Sequence, residues 1–315
     1  MVSLIIVDYR TITKTLHYMK ECNKSFITSY DIHVIIVDNN VNEQVGLTFI
    51  SDTEHAKIRT LTNSALPVPV YECICEDGSR ITYVAARANI GYAKGNNLGA
   101  KVAKILFRDT YYLFSNNDLR FMEPIPIDIL LTPMRDKEDV AVVGPSILSL
   151  DGSLQSPRKK PTVGIGLFVY YWNLLLPKRL KLERWITDID MAAKTGRCDW
   201  VTGSFLITDA VKFHEVCGFD EHTFLFYEEV ILAERLQKKS YRMYYTDSVK
   251  IVHEHGETVK SSFSILQGID ISFKSGMYYF RNYRNISKFV TILAYINYYL
   301  FRVLFRLKKA IGSLR

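Results

Sequence analysis

Acidic residues are missing from the end of this chain. Of 315 residues, none after Asp270 is Asp or Glu, while nine lysines and arginines run from Lys274 to Arg315. The net charge of +7 therefore belongs to the tail, because the first 270 residues carry 31 basic and 33 acidic side chains, a balance of −2. A nucleic-acid-binding core carries its basic patch on the folded domain, so nucleic acid is not expected as a partner. Cysteine is also scarce. The five are odd in number and scattered, and Cys73 and Cys75 lack a second pair for a metal knuckle. They read as reduced thiols of a cytosolic protein. No basic stretch with a cleavage site precedes the first apolar run, so no secretory leader is expected. Neither Gly-Lys-Ser/Thr nor Gly-x-Gly-x-x-Gly occurs, which demotes ATP hydrolysis and nicotinamide chemistry. The uncharged run in the tail, Phe289 to Phe301, has 13 residues and is too short to span a bilayer.

What is present is an ordinary globular composition, 48% hydrophobic and 23% charged, enough chain for one large α/β domain plus an appendage. Val2–Asp8 is a near-continuous apolar run, as in a strand buried on both faces. A helical pattern follows from Thr11 to Ser29, then a second strand, Ile32–Asp38. Such βαβ units bind ligands beyond the carboxyl ends of their strands. Asp8 and Asp38 hold equivalent positions there, although each alone would serve equally as a cap or turn residue. Val70–Cys75 and Arg80–Val84 flank Asp77-Gly78 as a hairpin, an insertion or an edge feature.

Ala88–Ala100 holds three glycines and three asparagines before a helix expected from Lys94 to Phe107, a loop able to offer N–H groups to an anion. The strand Tyr111–Asp118 ends in Asn116-Asn117-Asp118, which suits a hard cation once a diphosphate supplies further oxygens; alone it is a turn. Glu228-Glu229 head a helix, where acids favour the macrodipole whatever else they do. His253 and His255 share one strand face, without a third ligand for zinc. The aromatic stretch 162–190, with Lys178, Arg179 and Lys181, is expected to pack on the core.

Nine segments now stand in order: Val2–Tyr9, Val37–Asn39, Asn89–Asn97, Ser115–Asp118, Gly144–Leu148 with Asp151–Ser156, Trp200–Phe205, Gly218–Glu221, Phe226–Glu229 and His253–Gly256. Through them the chain resembles the inverting family-2 glycosyltransferases of GT-A fold, in particular the rhamnosyltransferase-like branch that builds bacterial surface polysaccharides. The resemblance implies a Rossmann-like mixed sheet flanked by helices. A catalytic domain would cover 1–260, its nucleotide-binding half 1–120 and its acceptor half 121–260; the resemblance reaches only to about residue 256, and 261–315 reads independently as a basic amphipathic helical extension.

It also implies roles. Asp38 would hold the nucleotide base, with Asp8 and Tyr9 beside it. Asn89, Gly91, Asn96, Asn97 and Asn117 would frame the nucleotide sugar. Asp118 and His253 would hold a divalent cation, Mg2+ or Mn2+. Gly203 and Ser204 would line the acceptor side, with Trp200 as a sugar-stacking face and His255 in support. Glu229 would be the general base, with Glu228 as second choice. The chain departs from the pattern at Asp8, where the family has Asn, at Ile231, where it has an acid, and at Glu229, where it has Asp. The implied donor is a nucleoside-diphosphate sugar such as dTDP-rhamnose, and the implied acceptor a polyprenyl-linked saccharide. A non-catalytic membrane-associated scaffold is the alternative. A sugar-nucleotide pyrophosphorylase fits less well, since Tyr9-Arg10-Thr11 supplies no glycine- and arginine-rich phosphate loop.

On a helical wheel of the tail, Phe289, Leu293, Ile296, Leu300, Val303, Leu304, Leu307 and Ile311 share one side. Thr291, Tyr295, Tyr298, Arg302, Arg306 and Lys309 share the other. This pattern suits a helix in the interface of an anionic membrane, and hence a cytoplasmic enzyme peripheral on the inner face of the cytoplasmic membrane; the alternative is a C-terminal helix packed on the catalytic domain or in a dimer.

Overall fold

Alternation along the first strand sets up two cores. In the computed structural model, β1 (Val2–Asp8) sends Val2, Leu4 and Ile6 to one face of a sheet and Ile5 to the other. The structure describes residues 1–176, 188–254 and 263–312; Lys178, Arg179, Lys181, His255, Gly256 and the Ile311 side chain lie outside them. After β1 come α1 (Ile12–Ser25), the short β2 (Phe26–Ile27), β3 (Ile32–Asp38), α2 (Glu43–Glu54), β4 (Lys57–Thr60), β5 (Val70–Ile74) and β6 (Arg80–Ala85). Next are α3 (Gly91–Leu106), β7 (Tyr111–Ser115), β8 (Leu119–Arg120), β9 (Ile125–Pro126), α4 (Ile127–Asp136), β10 (Val140–Ser149) and β11 (Leu154–Ser156). Two short helical turns, Gly164–Val169 and Tyr170–Leu174, lead toward β12 (Gly196–Cys198) and β13 (Phe205–Asp209). The last described elements are α5 (Ala210–Glu215), α6 (Glu228–Lys238), β14 (Arg242–His253), α7 (Ile265–Asn282) and α8 (Lys288–Gly312).

One mixed sheet runs β12-β14-β10-β13-β7-β1-β3-β6-β5-β4, with β11 on β10 and β8 on β14. β7, β1, β3 and β6 are parallel. Asp8 lies opposite Asp38, and Ser115 opposite Ile6, so the loops leaving these strands gather at one edge. α1, α2 and α4 cover one face, through Leu16, Ile50 and Leu130. α3, α6, α7 and α8 cover the other, through Ala100, Leu232, Phe273 and Phe301. The Asp77-Gly78 turn is the expected hairpin, with Gly78 at φ 82°. It is not an insertion: β6 pairs with β3 in the main sheet, and β5 and β4 extend it.

Two expectations change. α3 starts at Gly91, three residues before the expected Lys94, so Gly91, Tyr92 and Ala93 form its first turn. Its glycines serve packing. A Cβ on Gly99 would fall 2.5 Å from Ile5 Cγ2 and one on Gly95 3.0 Å from Val7, so their absence lets the helix lie close on the sheet. The tail is also one helix of 25 residues. Among the described helices, its Lys288–Ala310 stretch is long and apolar enough to cross a bilayer, against the expectation from the uncharged run alone.

Candidate active site

Strand ends and loops tie the expected segments together. Asn39 N–H donates to the Asp8 carbonyl at 2.8 Å, and Asn39 Nδ2 to the Gly91 carbonyl at 3.2 Å. Asn89 Oδ1 accepts from Gly91 N–H at 3.2 Å, where φ of +83° favours glycine. Asp38 is buried, with Tyr83 Oη on one oxygen and Asn40 N–H and Nδ2 on the other. Burial raises its carboxyl, and the Tyr83 and Asn40 bonds pull the other way. Asp8 is wholly buried beneath the start of α1, accepting from Thr11 Oγ1 at 2.7 Å and Thr15 Oγ1 at 2.6 Å. Burial raises it too. Asn117 Nδ2 joins this network through Thr15 at 2.7 Å. Asp8 and Asn117 thus brace the strand ends, while half-buried Tyr9 lies under the Arg10 guanidinium, 5.1 Å from its ring centre.

The acceptor-side residues meet the strand end directly. Asn116 N–H donates to the Ser204 carbonyl at 2.8 Å, one residue from Asn117 and two from Asp118. Ser204 Oγ lies 3.2 Å from Thr202 Oγ1. Next to Ser204, Gly203 N–H donates to Glu229 Oε1 at 2.7 Å, and the Gly203 carbonyl accepts from Tyr92 Oη at 2.6 Å. The glycine-bearing helix, the 200–205 segment and the acid pair therefore form one hydrogen-bonded assembly.

Glu228 and Glu229 differ sharply. Glu228 is buried, and its Oε1 has no hydrogen-bond partner among the described residues. Burial first, then the charge of Glu229, holds its carboxyl well above the ordinary range. Glu229 is also raised by burial, but the Gly203 N–H and the Arg158 guanidinium favour its charged form. Both carboxyls are thus held above the ordinary range, Glu228 further, and the Gly203 N–H favours charge on Glu229 over Glu228. The two residues before it, Phe226 at φ 72° and Tyr227 at φ 71°, are non-glycine residues in the left-handed region. Each costs of order 1–3 kcal/mol, tolerated where surrounding structure enforces it. Ser275 Oγ grips the Leu225 carbonyl at 2.8 Å. Gly166 and Gly276 give the Tyr227 hydroxyl room, since a Cβ on either would lie 3.1 or 3.0 Å from it.

Asp118 and His253 also meet. Asp118 Oδ1 lies 3.1 Å from His253 Nε2, and Gln155 Oε1 lies 3.1 Å from His253 Nδ1. A carbonyl oxygen at Nδ1 favours the N–H there and turns the Nε2 lone pair toward the carboxylate. A proton on Nε2 or a divalent cation satisfies that arrangement. Among the described residues no cluster of three or more His, Cys, Asp or Glu side chains is built to hold a metal. The imidazole and carboxylate fit a cation that takes its remaining oxygens from a diphosphate.

Three expected residues stand elsewhere. Trp200 is buried, donates Nε1–H to the Lys159 carbonyl at 2.9 Å and has Arg158 5.4 Å from its ring centre, so it packs and does not present a face for a sugar. Asn97 clamps the 218–221 turn, donating to the Phe219 carbonyl at 2.9 Å and accepting from Phe219 N–H at 3.0 Å. Asn96 is buried and bonds the Tyr92 carbonyl of its own helix. Tyr92, Gln155 and Arg158 carried no assigned role in the sequence. Each acts through a partner 30 or more residues away, as with Arg158 and Asp188, which local patterns do not reveal.

No protein-family model matches the chain. Its fold is of GT-A type. A structure of GalNAc-T7 with UDP, GalNAc and Mn2+ matches 81% of this chain and 44% of its own, with a TM-score of 0.52 and 11% identity. By sequence the chain is a distant relative of bacterial rhamnosyltransferases. It is 27% identical over 177 residues to the N-acetylglucosaminyl-diphospho-decaprenol L-rhamnosyltransferase of Mycobacterium tuberculosis, a match covering 53% of this chain. The chain spans 56% of that relative's length. It is 24% identical over 245 residues to the rhamnosyltransferase WbbL of Escherichia coli K12, covering 74% of this chain and 87% of that protein.

Proposed function

We propose that the chain is an inverting glycosyltransferase that moves a sugar from a nucleoside-diphosphate donor, dTDP-rhamnose in the first instance, to a hydroxyl of a polyprenyl-linked saccharide in surface polysaccharide synthesis. The observation that carries this reading is the Glu229–Gly203 hydrogen bond, joined through Ser204 to the strand end of Asp118. It sets a raised carboxylate beside the ends of β1, β3 and β7, where sheets of this kind bind ligands.

Glu229 takes the proton of the acceptor hydroxyl as that oxygen attacks the anomeric carbon. The new C–O bond forms on the face opposite the breaking bond to the diphosphate, so the configuration inverts. The glutamate is one methylene longer than aspartate, and its Oε1 still reaches Gly203 N–H at 2.7 Å. Burial and the adjacent Glu229 charge favour the neutral form of Glu228, which spares the base a second negative charge beside it. A divalent cation held by Asp118 and His253 would neutralise the charge of the leaving diphosphate. Ile231, where the resembled family carries an acid, is wholly buried in the core, so this departure falls on packing.

Two results test the site. With Mn2+ present, titration calorimetry should show deoxythymidine diphosphate binding to the wild type, and Asp118→Ala should weaken it at least about tenfold. A wild-type protein that binds no nucleoside diphosphate, with or without Mn2+, contradicts the proposal. Gly203→Ala would place a Cβ 2.5 Å from both Glu229 Oε1 and Tyr92 Oη. Displacing the base should lower kcat by roughly 10²-fold or more while nucleotide binding is kept; an unchanged kcat would show that Gly203 does not position Glu229.

A further inference from the structure

The C-terminal helix has two apolar faces, and the protein covers one. Ala294, Tyr298 and Phe301 are buried. Tyr298 stacks on Phe273 at 3.8 Å and bonds Asp270, while Phe301 packs on Tyr171 and Trp172. Asn297 receives Trp172 Nε1–H at 3.0 Å and donates to the Phe168 carbonyl at 3.1 Å. This corrects the wheel reading of Tyr298 and Arg302 as a solvent face. Tyr298 faces the core, and Arg302 lies 3.4 Å from Asp270. The opposite face presents Phe289, Ile292, Ile296, Leu300, Val303 and Leu307, each 52–69% exposed. They recur every three or four residues along a helix of about 37 Å, an apolar strip of a kind that marks an interaction surface.

Charge identifies the partner. Lys288, Arg306 and Lys309 are exposed and, with Arg302, fall along one border of the strip. No acidic residue follows Asp270 in the chain. In an antiparallel two-fold dimer the same border would meet itself, basic against basic. An anionic phospholipid surface complements it, and an apolar face with a basic edge is the pattern of helices that lie in the bilayer interface. Crossing the bilayer would require stripping Ala294, Asn297, Tyr298 and Phe301 from the protein.

We propose that the outer face of α8 docks on an anionic lipid bilayer, with the helix in the headgroup plane and the rest of the protein held on its inner face. The docking plane connects to the site: Phe301 packs on Tyr171, and Gly166 in the adjoining turn lies against Tyr227, which precedes the acid pair. The inference adds a partner to the proposed reaction, but vesicle binding is read without donor, acceptor or turnover, so either can fail alone.

The test is co-sedimentation of the full chain with phosphatidylglycerol-rich vesicles and with phosphatidylcholine vesicles. The wild type should bind the former at least about tenfold more tightly. The double variant Ile296→Asp/Leu300→Asp changes exposed residues only and should lose binding while its circular dichroism and monomer mass are unchanged. Arg306→Gln/Lys309→Gln should weaken binding about tenfold or more. Three results would overturn the proposal: no binding to anionic vesicles, binding unaffected by the Asp pair, or a wild-type dimer that the Asp pair disperses.

Discussion

Glu229→Gln is expected to lower kcat by about 10²–10⁴-fold, the usual contribution of a positioned general base, with nucleotide binding and fold unchanged. The amide retains an oxygen to accept from Gly203 N–H, now at 2.7 Å, but has no lone pair basic enough to take the acceptor proton. Glu228→Gln supplies the contrast. Burial and the neighbouring Glu229 charge both favour the neutral form of Glu228, so a neutral amide at that buried position should keep most of the activity. Because burial raises the Glu229 carboxyl above its ordinary 4.5, wild-type kcat should rise with pH as the carboxylate forms. That acid limb should begin above the range of an ordinary glutamate. If Glu229→Gln turns over normally and Glu228→Gln does not, the roles are reversed.

Asp220→Ala should be the most damaging change to stability. Asp220 is 1% exposed and gathers three elements. Arg235 of α6 pairs with it at 2.8 Å, Tyr278 of α7 donates at 3.0 Å, Tyr283 just after α7 donates at 2.5 Å, and its neighbour His222 lies at 2.8 Å. Removing one partner of a buried pair costs about 3–5 kcal/mol, because the other is left uncompensated; the urea midpoint of the variant should fall accordingly. Burial alone would raise this carboxyl, but the Tyr283 and His222 bonds and the Arg235 charge hold it at about 2, below the ordinary 3.8. A depressed folded-state value means stability that is fully present above 3.8 and is lost as pH falls toward about 2. The gap between wild type and variant should therefore narrow across that window. An equal gap at neutral pH and near pH 2 would show that Asp220 acts by packing alone.

Much of the nucleotide half was legible because buried parallel strands announce themselves. β1 and β3 run over Val2–Asp8 and Ile32–Asp38, as their apolar runs indicate, and α6 begins at Glu228. The glycine segment misled because glycine answers two needs. Gly91 supplies a positive φ at the turn, whereas Gly95 and Gly99 let α3 lie on β1. The same run thus hid the first turn of α3, which begins at Gly91 and not at Lys94. Trp200 was drawn toward the acceptor by its neighbours, but its indole is used up by Lys159 and Arg158. Asp220 and Gln155 fall in segments that the sequence singles out, but their roles lie in partners 63 and 98 residues away. The tail shows a further limit. With apolar residues around most of α8, a wheel does not say which face the protein takes, and Tyr298 carries a polar tip on a ring that the core buries.

The central claim is that Glu229 performs transfer to a lipid-linked sugar from a nucleotide donor. Its most direct measurement is product formation from dTDP-rhamnose and a polyprenyl-linked saccharide acceptor with Mn2+, followed by mass spectrometry and by the anomeric configuration of the new linkage. The wild type should give a product one deoxyhexose heavier with inverted configuration, and Glu229→Gln essentially none. A product with retained configuration, or equal product from both proteins, would contradict it.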